Sequence, residues 1–419
     1  MTGELLDAPT VTRLGGRFAK LWAAGTTSAL GSGLTTVAAP LLVAAETDSP
    51  FSVAAASAVA WLPWLLFALP GGALADRVDR RMLMIALDWG RAAAVCGLGV
   101  AILGGVRSVW LLYSALFVIN AGEIVMRVAS QAIVPDLVPR DQLERANGWL
   151  FGGLMLAQNI IAAPLGSFLF VVAASSPFLG NAATYAASAL LLWSIRGSYR
   201  VVAETDGARR KRSFRGEIVE GFRWLAGQRL LRTMVGLIAL LNVTLTAATS
   251  VLVLLARDRL GLDEVGYGLL FTAMAAGAVL GSVVGDRIIA WVRPTWTIRI
   301  GLLIEAGMHL ALAASRDAWV IGTVLVLFGV HGTLWGIVGS SLRQRLTPPE
   351  LLGRAGSVMI FVAAAGNSVG ALLGGALASA FGITAPYWVG FVVAAVVAVA
   401  SWRVFNRATV EAAYAKLPP

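Results

Sequence analysis

Residues 71–81 read GGALADRVDRR. Two aspartates and three arginines stand within eleven residues of a chain that is 58% hydrophobic and only 13% charged. On one side runs SVAAASAVAWLPWLLFALP (52–70), and on the other MLMIALDWGRAAAVCGLGVAILG (82–104). Soluble domains carry about 25% charged residues, and apolar runs of about 18 or more read as membrane-spanning helices. The charged stretch is therefore a link between two spans, and the rest of the chain can be divided in the same way.

The 419 residues contain twelve apolar runs, near 18–44, 51–74, 82–104, 109–133, 148–173, 177–195, 232–256, 266–291, 297–314, 318–341, 355–380 and 386–403. Mean hydropathy is +0.78. The 46 glycines fit a protein whose helices pack closely in lipid. The first run is too long for the apolar part of a secretory signal, and another span follows at once, so no cleaved leader is expected. Cys96 is the single cysteine and His309 and His331 are the only histidines. That leaves no intramolecular disulfide and argues against a structural zinc site; no cofactor or metal is expected.

The net charge of +10 would by itself raise the question of nucleic acid. The distribution of the charges answers it. With both ends placed in the cytoplasm, the outer loops (45–50, 105–108, 174–176, 257–265, 315–317 and 381–385) hold Arg107, Arg257, Arg259 and Arg316, four of 33 basic residues. Nearly all the others fall on the inner side, as membrane proteins require. They anchor inner loops against anionic lipid heads. A multi-pass protein of the cell membrane with cytoplasmic termini is expected, with no nucleic-acid partner.

The charged link recurs. GGALADR (71–77) matches GSVVGDR (281–287) at an offset of 210, pairing Gly71, Asp76 and Arg77 with Gly281, Asp286 and Arg287. PRDQLERA (139–146) matches PPELLGRA (348–355) at 209, pairing Arg145 with Arg354. Two matches at nearly one offset divide the chain into six-span halves, 1–195 and 232–419, and parallel repeats of this kind mark transporters. The linker 196–231 carries nine Lys or Arg. Within 214–228, Phe214, Ile218, Phe222 and Leu225 recur at helical spacing, so a helix lying on the inner membrane surface is expected there.

Two six-span halves, a basic central loop and G-x-L-A-D-R-x-x-R-R (Gly72, Leu74, Ala75, Asp76, Arg77, Arg80, Arg81) resemble the major facilitator superfamily. Asp79 departs from the pattern, where Gly is usual. PDLVPRDQLERAN (135–147) and NAATYAASALLL (181–192) are similar to the branch holding enterobactin exporters and macrolide-efflux proteins. The resemblance implies an all-α fold of twelve membrane helices in two bundles, working as a monomer. It implies that Gly72, Asp76, Arg77, Arg80, Arg81 and their counterparts Asp286, Arg287, Arg145 and Arg354 form an inner-face latch. In it Asp76 faces the start of span eleven near Arg354, where a helix N-terminus favours a carboxylate, and Arg77 and Arg81 pair with acidic groups.

The superfamily places spans one, four, seven and ten around a central cavity. Charges at membrane depth are costly and are functional candidates. In span four Glu123 and Arg127 stand four apart and can pair, and Glu123 is the leading proton site; the alternative is a fixed ion pair. His331 in span ten is a second proton candidate. Glu305 and His309 in span nine are expected to be a structural pair, and Asp88 and Arg91 to join the inner-face charges. Thr27, Ser28, Met126, Gln158, Asn159, Asn242, Phe328 and Trp335 are cavity candidates, although Ser and Thr also bond their own helix backbones. Glycines at 277, 281 and 285, and at 366, 370 and 374, let helices approach closely. AAPLGS (162–167) resembles the span-five motif of drug/proton antiporters, with Ala163 where Gly is expected.

No phosphate-binding G-x-x-x-x-G-K-[ST] loop and no HExxH pair are present, so an ATP-driven pump or a metalloenzyme is not expected. The sequence is that of a secondary transporter for a small molecule, with protons the expected coupling ion. Efflux of a hydrophobic drug, antibiotic or secondary metabolite leads, export of a siderophore is the alternative, and nutrient uptake comes third.

Overall fold

The structure is a computed structural model, and it describes residues 14–75, 78–106, 108–139, 142–197, 199, 222–348 and 351–415. Among these residues there are helices and no strand. In chain order they are α1 (Gly16–Glu46), α2 (Pro50–Ala75), α3 (Arg80–Leu103) and α4 (Val109–Ile133). Next come α5 (Leu143–Met155), a π-helical turn (Leu156–Ile161), α6 (Ala162–Val172) and α7 (Ser176–Trp193). The second part has α8 (Arg229–Ser250), α9 (Leu252–Asp258), α10 (Glu264–Val292) and α11 (Pro294–Ala314). It ends with α12 (Ala318–Leu346), α13 (Leu352–Phe381), α14 (Ala385–Ser401) and α15 (Arg407–Ala415).

Among the described residues, ten candidate spans are long and apolar enough to cross a membrane. The other two expected runs are also helical but short, Ser176–Trp193 with 18 residues and Ala385–Ser401 with 17. Exposed tryptophans mark helix ends: Trp110 and Trp319 at the starts of α4 and α12, Trp291 at the close of α10. Such rings sit at the headgroup level of a bilayer. The expected surface helix at 214–228 lies mostly outside the described residues; 222–227 is helical, with Phe222 exposed and Leu225 buried.

Helix starts follow from local chemistry. Asp79, the departure from the loop pattern, accepts from the Met82 N–H and caps α3. Ser108, Asp263 and Asp317 do the same for α4, α10 and α12. These side chains satisfy N–H groups that a helix start leaves without partners. The π turn stands immediately before AAPLGS. Pro164 lacks an N–H and its ring crowds the carbonyl four residues back, Ile160, which falls within the widened turn.

The packing of helices repeats along the chain. α1 lies on α7 as α8 lies on α14; α2 on α4 as α10 on α12; α3 on α4 and α7 as α11 on α12 and α14. The glycine stripes make one of these contacts, α10 on α12, and a further one, α13 on α8. Gly277 lies against the Val326 carbonyl of α12, and Gly366, Gly370 and Gly374 lie against the carbonyls of Ala239, Val243 and Ala247 in α8. Between the two parts, α2 packs on α13 and α6 on α10.

The apolar cores show how the two parts meet. One core holds Val37–Ala44 and Val53–Ala56 together with Val251–Ala256, Tyr267, Leu270 and Tyr387, so it draws on both parts. At the opposite ends of the helices there are two separate cores. One runs from Phe18 to Tyr199 and one from Leu225 to Val410. Among the described residues, the parts are thus joined through a shared core at one end, and each has a core of its own towards the other. Arg257 closes the joined end: Nη1 donates to the Ala44 carbonyl at 3.0 Å, with Asp48 at 3.6 Å. Arg259, beside it, donates to the carbonyls of Ala313, Ala314 and Ser315 and so caps α11.

Candidate functional site

A cavity of about 540 Å³ lies against α1, α4 and α5. Thr26, Ser28, Glu123, Met126, Arg127, Ser130, Gln131, Asn147 and Phe151 are in its wall. A second, apolar hollow of about 450 Å³ at the joined end, around Leu42, Leu98 and Phe170, holds none of the candidate charges; among the described residues Glu46 is the one ionisable residue in its wall.

Behind the cavity wall stands a network of buried charge. Asp88 and Arg91 of α3 are 0% and 1% exposed. Arg91 donates to Asp88, to Glu123 Oε2 at 2.6 Å and to Ser28 Oγ at 3.0 Å. Its guanidinium also lies 4.2 Å over the Tyr185 ring. Ser188 donates to Asp88 at 2.6 Å, while Ser32 reaches Glu123 at 3.2 Å and Tyr185 at 3.0 Å. Four helices, α1, α3, α4 and α7, therefore converge on one cation and two carboxylates. Burial of such ions is tolerable only when each is paired and hydrogen-bonded.

The expected Glu123–Arg127 pair is a lesser contact. Arg127 stands 3.9 Å from Glu123 Oε1, too far for a hydrogen bond, and is 40% exposed. It lies 5.2 Å over the Trp64 ring of α2 instead. Glu123 is 13% exposed and belongs to both places: one oxygen is bound to the buried arginine and the residue lines the cavity. Asp88 and Arg91 correct the expectation that they would join the inner-face charges. They are enclosed in the bundle, because α3 turns them towards α4 and α7 rather than towards the loop. The sequence carries a signal for this: both charges lie inside an apolar run, three residues apart, at least two turns from the start of α3.

Of the cavity candidates, Ser28 and Met126 line this cavity. Thr27, Gln158, Asn159, Asn242, Phe328 and Trp335 do not. The Gln158 backbone carbonyl packs against Gly33, and the Asn159 amide donates to the Met155 sulfur at 3.4 Å. The Asn242 amide donates to its own helix at the Ile238 carbonyl. Phe328 and Trp335 flank His331, with ring centroids at 5.9 and 6.1 Å. His331 is remote from the Asp88–Arg91–Glu123 network and stands 3.7 Å from Glu305.

Among the latch residues, Asp76 and Arg77 lie outside the described residues. Gly72 is in the last turns of α2, and the Arg354 backbone is in α13. Asp286 and Arg287 are exposed within α10, and Arg145 is exposed in α5. Arg80 donates to the Ala132 carbonyl at 2.8 Å and reaches Asp136 at 3.4 Å. Arg81 departs from the expectation that it would meet acidic groups. It donates to the carbonyls of Leu192, Trp193 and Gly197. The physical reason is the negative end of α7, whose last carbonyls have no helical partner.

A many-helix membrane protein with charge buried beside a cavity is the architecture of a transporter, and the comparisons agree. The profile of the transmembrane secretion effector family, a group of the major facilitator type, matches residues 13–416. The chain belongs to that family. An uncharacterized MFS-type transporter of Mycobacterium tuberculosis is 28% identical over 316 residues, covering 70% of this chain and 67% of the relative. The enterobactin exporter EntS of Escherichia coli O1:K1 is 26% identical over 363 residues, covering 83% of this chain and 82% of the relative. In fold, the chain is similar to the nucleoside transporter NupG, with a TM-score of 0.71, 12% identity, and coverage of 96% of this chain and 99% of that one.

Proposed function

We propose that this transporter exports a small molecule by alternating access, driven by protons, across the cell membrane. The observation that supports it above all is Glu123, which joins the cavity to the buried Asp88–Arg91 pair. Two carboxylates share one buried guanidinium, and the other cation near Glu123, Arg127, stands off at 3.9 Å and is 40% exposed, so a negative charge is left weakly compensated in a low-dielectric bundle. A proton on Glu123 removes it. Glu123 is then the proton site and Arg91 its fixed counter-ion.

The repeat supports twelve spans in two halves, 1–195 and 232–419, joined by the linker 196–231; the family resemblance supports a monomer. The core shared by both parts lies at the end of Ala44 and Arg257, so with the termini in the cytoplasm the conformation is read as inward-open. Arg80 and Arg81 hold helix ends within their own half, as a latch released at the open end requires. Rocking the halves together would close that end and part the joined one at Arg257.

For the substrate, an amphiphilic drug, antibiotic or secondary metabolite fits a wall that mixes Met126, Leu150 and Phe151 with polar groups. Export of a siderophore is favoured by a specific observation: Arg127 presents a cation to the cavity, and enterobactin exporters are among the relatives. The test is accumulation of fluorescent hydrophobic cations, macrolides and a catechol siderophore in cells expressing the chain, with and without a protonophore. Reduced accumulation that the protonophore abolishes is expected; export that persists without a proton gradient would overturn the coupling.

A further inference from the structure

The C-terminal part holds a second group of buried ionisable side chains that the mechanism above leaves unused. Glu305 and His309 stand four apart on α11, and His331 reaches them from α12. They are 4%, 0% and 6% exposed. Glu305 Oε1 is 3.7 Å from His309 Nε2, and Oε2 is 3.7 Å from His331 Nε2. The sequence marks Glu305 and His309 as a structural pair and leaves His331 alone; the fold brings all three together.

A closed ion pair would sit at about 2.7–2.9 Å. Here the three groups stand about an ångström wider than that. Glu305 Oε1 and both ring nitrogens of His309 are buried without a hydrogen-bond partner. Polar atoms in that state are costly unless a proton, or a small closing movement, completes them. The place is nevertheless built for these rings. A methyl group on Gly301 would overlap the His331 ring, and one on Gly390 of α14 would overlap His309. Phe328 and Trp335 flank His331 at 5.9 and 6.1 Å.

The surrounding helices bring few other charges. α14 carries Tyr387, one turn from Gly390, and α10 carries Tyr267, Asp286 and Arg287, the last two exposed. α11 itself carries Arg299, and Arg293 stands at its start. Arg299 donates to the Trp402 carbonyl and lies over the Trp296 and Trp402 rings, while Arg293 reaches Glu411 of α15. α12 carries Arg343 and Arg345 three turns and more from His331, and α15 carries Arg407. Among the described residues, the ion-pair partners of Glu305 are the two histidines.

The position in the repeat is also telling. α11, α12 and α14 are packed as α3, α4 and α7 are, so both parts bury an ionisable cluster between corresponding helices. In the first, the Arg91 side chain crosses Gly122. At the offsets of 210 and 209 these two positions are Gly301 and His331. Large and small residues have changed helices, and a permanent cation has become an imidazole, which gains and loses its proton near neutral pH.

We propose that Glu305, His309 and His331 form a second proton-binding site, with one exchangeable proton shared between the carboxylate and the two imidazoles. With both rings neutral, the Glu305 carboxylate is a lone charge in the bundle; one bound proton cancels it wherever it rests. The part this site plays in transport rests on the proton-coupled reading, but the site can be tested apart from transport.

The chain has only two histidines, so ¹³Cε1-histidine labelling of the full-length protein in lipid nanodiscs gives two ring signals. Their positions are followed from about pH 5 to 9, the range that brackets imidazole titration, with no substrate present. Both signals are expected to move with pH, and Glu305→Gln should displace the two curves together. Signals that stay fixed across the range, a single moving signal, or curves indifferent to Glu305→Gln would each overturn the shared site. If Glu305→Gln fails to fold, the wild-type titration and the effect of His331→Gln on the His309 signal still decide it. Titration of this site alongside protonophore-resistant export would sink the proton-driven function and leave the site standing.

Discussion

Arg91 and Glu123, on neighbouring helices, are bound at 2.6 Å, while Arg127, one turn from Glu123 on its own helix, stands off at 3.9 Å. The two arginines therefore have separate duties. Arg91 holds the bundle together; Arg127 faces the cavity. Arg91→Met should lower stability by roughly 3–5 kcal/mol, because it leaves two carboxylates buried without their cation. Arg127→Ala should cost under about 1 kcal/mol, as for other exposed ion pairs. Thermal unfolding in detergent compares them, and equal losses would contradict this division.

Glu123→Gln keeps the shape of the side chain and its bond from Arg91 but removes the titrating group. Exchange of substrate across proteoliposomes at equal pH should continue. Transport driven uphill by a pH gradient should fall about tenfold or more, in keeping with loss of a proton-transfer group. Full gradient-driven transport by the variant would remove Glu123 from the coupling.

Arg81 holds the end of α7 through three carbonyls. Arg81→Ala should destabilise the N-terminal half by about 1–3 kcal/mol, the scale of hydrogen bonds to a charged group. The same change at Arg287, exposed in α10 at the repeat-related end of the C-terminal part, should stay within about 0.5 kcal/mol. Proteolytic susceptibility and unfolding temperature report the difference; matching effects would mean that Arg81 acts only as a surface charge.

Arg257 bridges the two parts at their joined end through the Ala44 carbonyl. Arg257→Ala should shift the population towards the state open at that end, by roughly tenfold for a charged hydrogen bond of about 1.5 kcal/mol. Spin labels at the exposed Ser108 and Arg316, in a Cys96→Ser background, measure the distance between the two outer ends. A longer distance is expected in the variant, and an unchanged distribution would show that the apolar core alone holds this end.

Asp76 lies at the centre of the motif from which the fold was read. Asp76→Asn should slow transport severalfold while the protein stays folded and monodisperse. Wild-type rates from that variant, measured in the same vesicles as Glu123→Gln, would rule out the latch.

Much of this protein is written locally. Apolar runs, the excess of basic residues on one side and the repeat of GGALADR as GSVVGDR need no knowledge of neighbours, since each span must satisfy its own backbone in lipid. The apolar spans and the glycine stripes follow from that alone, whereas the division of run 148–173 at the π turn and of run 232–256 after Ser250 does not. The site does not. Spacing within α4 puts Glu123 and Arg127 on one face, yet it cannot say which cation the carboxylate meets. That depends on the rotation of α3, set by packing against α4 and α7, and it turns Asp88 and Arg91 inward. Likewise Glu305 and His309 share a face of α11 by their spacing, but only the approach of α12 over Gly301 adds His331. The sequence by itself determined the apolar spans and the repetition of the charged links, because hydropathy acts segment by segment. The tertiary structure decided the partners of each buried charge, because they come from different helices and are chosen by how those helices pack.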